Sequence, residues 1–160
     1  MSGLIGMELT RVYTSTDIEE GRAFALGTVY QDYSGKRYKF VQYDTGAGSV
    51  AAVAGQVCYF YAPSGTSAGA VNVVTSDLSD SAEVGAGVLV SAPADGEYCW
   101  IQTRGTATLS IALTAGGDGD PLTPTGATDG TLDLTTAVTD HLCAYAIDAS
   151  AKIIACNFPE

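Results

Sequence analysis

The chain has 160 residues, enough for one compact domain with a substantial core. Its 18 acids against 7 bases give a formal net charge of -11, which argues against binding to nucleic-acid phosphates or an anionic membrane surface. Only 16% of residues are charged, where about 25% is usual, so much weakly polar surface is expected to meet other protein.

Along the chain, residues 1–21 read as an N-terminal arm and residues 22–160 as a β domain. The arm carries a short amphipathic stretch, Met7 to Tyr13. Thr16-Asp17-Ile18-Glu19 matches capping-box spacing, so one helical turn is expected there, ended by Gly21. From Arg22 onward strand signals dominate. Candidate strands are 23–30, 37–43, 56–62, 70–75, 87–91, 98–103, 106–113, 131–134, 142–147 and 152–158, separated by Gly-, Pro-, Asn/Asp- and Ser-rich turns. Ser49 to Ala54 is the nearest approach to a further helix. The expected fold is all-β, a single barrel or sandwich-like domain of the tulip type with an extended N-terminal arm.

A five-residue phrase occurs twice, Tyr38-Lys39-Phe40-Val41-Gln42 and Tyr98-Cys99-Trp100-Ile101-Gln102. Strand alternation puts Tyr38, Phe40 and Gln42 on one face, and Tyr98, Trp100 and Gln102 on one face of the second. These aromatics are expected to pack over a neighbouring sheet or subunit, a structural and not a catalytic role. Internal duplication and convergence of strand preferences both account for the repetition.

Chemistry is sparse. Cys58, Cys99, Cys143 and Cys156 form no CxxC pair and have no partners at metal-ligand spacing. Small buried thiols are expected, with disulfide pairing as the alternative. The start of the chain has no basic region followed by an apolar run, and no later apolar run approaches the ~18 residues needed to span a bilayer. Synthesis in a reducing cytoplasm is therefore expected.

His141, the single histidine, stands two residues from Cys143, but no third orienting group and no GxSxG elbow accompany it. Gly116 to Pro121 lacks the ligand pattern of a calcium loop, and Asp44 to Gly48 lacks the third glycine of a dinucleotide fingerprint. Carboxylate pairs such as Asp77 with Asp80, or Glu19 with Glu20, resemble solvated turn acids more than a glycosidase pair. No enzyme, catalytic residue, metal or cofactor is expected.

Gly85 to Val90, followed by Asp95-Gly96-Glu97-Tyr98-Cys99-Trp100-Ile101-Gln102-Thr103-Arg104-Gly105, resembles the head decoration, or cement, proteins of tailed bacteriophages. Asp120-Pro121-Leu122 and Ala144 to Ile147 resemble later strands of that pattern. The resemblance covers roughly residues 22 to 158, most firmly 85 to 114. It implies an all-β body on the outer capsid surface, bridging major capsid protein subunits and stabilising the expanded shell, commonly as a homotrimer. It implies neither nucleic-acid nor membrane binding. Leu4, Ile5, Met7, Leu9, Val12 and Tyr13 of the arm are the expected capsid contacts, with burial in the same subunit as their alternative. The tyrosines of the first half, Tyr30, Tyr33, Tyr38, Tyr43, Tyr59 and Tyr61, are not part of the pattern. They leave open a head-fibre or tail-associated adhesin that binds a host-surface ligand.

Overall fold

The computed structural model describes residues 7–62 and 72–160. Strand chemistry dominates them, as expected: ten strands form one connected sheet. They are β1 (Val29–Gln31), β2 (Arg37–Tyr43), β3 (Val57–Tyr61), β4 (Val73–Thr75), β5 (Ser81–Leu89), β6 (Tyr98–Thr108), β7 (Pro121–Thr123), β8 (Asp133–Leu134), β9 (Ala144–Asp148) and β10 (Ile153–Asn157). Strands β2, β4, β3, β5 and β6 pair in that order, and β6 pairs back onto β2, closing a five-stranded barrel. Closure removes the free edges that an open sheet of this size would present. β1 extends the N-terminal half of β2, while β10, β9, β7 and β8 continue the sheet from the far half of β6.

The repeated phrase explains how the barrel closes. The two copies pair with each other, antiparallel, centred on Phe40 opposite Trp100, with Tyr38 opposite Gln102 and Gln42 opposite Tyr98. Because successive side chains alternate, one face of this ribbon sends Val41, Tyr43, Cys99 and Ile101 into the barrel, where they join Cys58, Phe60, Val74 and Leu89. The other face turns its aromatics outward, beneath the N-terminal segment. A third cluster, built on Leu122, Leu132, Ile154 and Phe158, holds the β7–β10 extension against β3 and β5.

Several boundaries differ from the sequence expectation. The segment 98–103 and the first residues of 106–113 form one eleven-residue strand, Tyr98–Thr108, because the chain bulges at Thr103 instead of ending. The register steps there from Tyr38 opposite Gln102 to Arg37 opposite Arg104, with Gly105 at φ +92° just beyond; residues 109–113 are not strand. Gln102 completes the bulge by donating its side-chain amide to the carbonyls of Arg104 and Thr106, both at 3.0 Å. β5 begins six residues earlier than expected, at Ser81, because irregular pairing with β3 carries it through a polar stretch. β7 opens on a proline, tolerated at a strand's first position; it was not among the candidate strands read from turn and strand signals, though the resemblance implied a strand at Asp120-Pro121-Leu122. Residues 23–28 are not strand, and residues 49–54 are neither helix nor strand. Helix α1 (Ser15–Glu19) is the expected single turn, but its capping box is Thr14 with Asp17, two residues earlier than the spacing of Thr16 and Glu19 indicated.

Candidate partner-binding surfaces

The outward aromatic face is covered by its own chain. Phe40 and Trp100 have no exposed surface, Tyr38 is buried, and Tyr98 is half-buried. Phe24 meets Trp100 edge-on with ring centroids 5.1 Å apart, and Tyr13 meets Phe40 at 5.4 Å. Tyr13 also joins the sheet edge: its N–H donates to Tyr98 O and its carbonyl accepts from Tyr98 N–H, both at 2.8 Å. Such edge-to-face contacts add about 0.5–1.5 kcal/mol each beyond area burial.

The arm residues thus fall into distinct settings. Tyr13 is 2% exposed within this cluster, and Met7 and Leu9 pack partly against it. Val12 is half-buried, whereas Leu4 and Ile5 lie outside the described residues. Tyr13 is therefore spent inside the chain. Arg11 stacks over the Tyr13 ring at 4.7 Å and pairs with Asp17, tying the capping box to the same assembly.

A different surface is left open. On β9 the small residues Ala144 and Ala146 face the core, while Tyr145 and Ile147 face out, 53% and 43% exposed. Register places Tyr145 beside Ala155 of β10 and Pro121 of β7, and Ala155 beside Thr106 of β6. This row crosses four strands without a charge. Leu142 and Val138, in the segment leading into β9, are also exposed. The Ala-Tyr-Ala-Ile alternation was visible in the sequence, but alternation alone does not say that the small residues face inward.

The candidates for chemistry do not converge. His141 is exposed in a loop, and Cys143 is buried, so no shared strand face brings them together. All four cysteines are free and buried. Burial pushes the thiols of Cys99 and Cys156 up to about 12, and those of Cys58 and Cys143 upward as well. A catalytic thiolate requires the opposite shift.

The acids are likewise occupied by backbone amides. Gly48 N–H donates to Asp77 at 2.7 Å and Ala47 N–H to Asp80, while Gly46 N–H donates to Asp44. Burial raises the Asp77 carboxyl, but hydrogen bonds from Ser79, Gly48 and Asp80 outweigh it and leave the pKa lowered. In the Gly116–Pro121 turn, Asp120 accepts from Gly117 and Asp118 from Ala149, both at 2.8 Å. Among the described residues no three carboxylate, histidine or cysteine groups gather as metal ligands. Among the same residues no helix is long and apolar enough to cross a membrane.

No family model matches the chain, and neither the curated proteins nor the solved structures include a match.

Proposed function

We propose that the protein is a bacteriophage head decoration protein, which binds the outer capsid surface and stabilises the expanded shell by bridging major capsid protein subunits. The observation that carries this reading is the uncharged outward face of β9 and its neighbours, centred on Tyr145 and Ile147. A surface of that kind suits a lasting protein contact: interface centres are depleted in charge and enriched in aromatic residues. The phrase resembling the cement proteins, residues 85–105, supplies the second half of β5 and the barrel half of β6. Binding that occurs only on the expanded shell shifts the equilibrium toward the intact particle in proportion to occupancy.

The test is co-sedimentation with expanded, undecorated heads, with unexpanded proheads as the control. Saturable binding to expanded heads, lost in a Tyr145→Asp, Ile147→Asp double variant that remains folded, is the expected result. Binding to neither form, or full binding by the variant, overturns the reading. Deleting residues 1–20 is the less selective perturbation, because it also removes Tyr13 from above Phe40. An adhesin draws less support: of the six first-half tyrosines, Tyr38, Tyr43 and Tyr59 are buried and Tyr30 and Tyr61 half-buried, leaving Tyr33 fully presented.

A further inference from the structure

The paired strands β2 and β6 carry opposite charge at their two ends. At one end Arg37 lies directly across from Arg104, an arrangement of like charges that destabilises a strand pair unless an anion intervenes. The Glu160 carboxylate intervenes. It accepts from Arg37 Nη1 at 2.8 Å and from Thr103 Oγ1 at 3.0 Å, and lies 3.9 Å from Arg104 Nε. Lys39, on the inner face of β2, also feels this carboxylate. Two of the chain's seven bases therefore meet one acidic side chain. The Arg37 and Arg104 side chains remain 39% and 51% exposed.

At the other end the balance is reversed. Asp44 follows β2 and Asp95 precedes β6, on two loops that meet where Asp95 accepts from Thr45 N–H at 3.0 Å. Asp77 and Asp80 converge there through the amides of Gly48 and Ala47. None of the four is ion-paired to a base among the described residues. The Tyr61 hydroxyl registers the cluster, its pKa raised by burial and then by all four carboxylates. β2 holds the two ends about 20 Å apart at ~3.3 Å per residue.

We propose that copies of this chain dock end to end, the cationic end of one β2–β6 pair seating on the acidic end of the next. Charge complementarity selects the second copy and the polarity of the contact. Two acidic ends repel, as do two cationic ends, so the pairing is heterologous and builds a ring or a chain of subunits instead of an isologous dimer. This inference stands independently of capsid binding.

The experiment is sedimentation equilibrium of the purified chain across a salt series. The expected result is concentration-dependent association at about 20 mM salt that weakens at least tenfold by about 500 mM, where the Debye length falls to a few ångströms. Arg104→Glu and Asp95→Lys each change an exposed end, and each is expected to lose association while keeping the wild-type circular dichroism spectrum. An equimolar mixture of the two variants restores association, because one retains an intact acidic end and the other an intact cationic end. A wild type that stays monomeric at low salt overturns the proposal. So does association that survives both reversals, or a mixture that remains monomeric.

Discussion

Trp100 provides the sharpest test of the aromatic seam. It is completely buried, with Phe24 at 5.1 Å and Phe40 at 5.2 Å between ring centroids. Its indole N–H finds no acceptor among the described residues. Trp100→Ala removes the whole side chain and is expected to cost about 3–5 kcal/mol, a large share of the roughly 5–15 kcal/mol that holds a domain folded. Trp100→Phe separates the two contributions. It loses part of the buried apolar surface but also removes an unpaired donor, whose burial costs about 1–3 kcal/mol. The two changes oppose each other, so the Phe variant is expected within about 1 kcal/mol of wild type. Urea denaturation followed by far-ultraviolet circular dichroism measures both variants without depending on the chain's single tryptophan. A Phe variant that loses more than about 2 kcal/mol would show that the indole N–H is paired in solution, and would refute the reasoning.

Further predictions concern the core and the charged interior. A Cβ at Gly85 would stand 2.8 Å from Phe158 Cε1 and 3.2 Å from Cys143 Sγ. Gly85→Ala is therefore expected to destabilise by about 1–3 kcal/mol, and Phe158→Leu in the same chain should recover part of that loss in a double-mutant cycle. Lys39 is buried with its ammonium 5.2 Å from the Phe60 ring centroid, and burial lowers its pKa while the Glu160 carboxylate opposes the shift. A lowered folded-state pKa means that the unfolded chain binds more protons as pH climbs toward the ordinary lysine value, so Lys39 contributes stability that rises with pH. Lys39→Met should accordingly be at least as stable as wild type at pH 7, with its advantage shrinking by pH 10 in paired urea titrations. The four buried thiols, all with raised pKa, should resist a thiol-reactive chromophore in the native protein and react together only on unfolding. Rapid native labelling of any one would contradict its burial.

Much of the architecture was legible because β structure repeats every two residues. The run Arg37–Tyr43 forms a strand with those limits, and the turn chemistry separated most of its neighbours correctly. Alternation also assigned Tyr38, Phe40 and Gln42 to one face, as the pairing with Trp100 and its neighbours requires. Gly105 shows where local reading fails. A glycine at positive φ ends a strand or lets it run on past a bulge, and only the pairing of Arg37 with Arg104 and of Cys156 with Gly105 decides between the two. The same holds for Pro121, whose strand exists because β8 and β9 flank it.

The sequence by itself determined an all-β, acidic, charge-poor chain in which no catalytic group has local support. Its periodicities also determined which side chains share a face. Only the tertiary structure decided that the repeated phrase pairs with itself to close a barrel, that Tyr13 folds back over Phe40, and that Tyr145 and Ile147 face outward. It likewise brought Arg37, Arg104 and Glu160 together across more than a hundred residues. Local preference acts over a few residues, whereas burial and charge proximity depend on contacts between distant segments that no short pattern encodes.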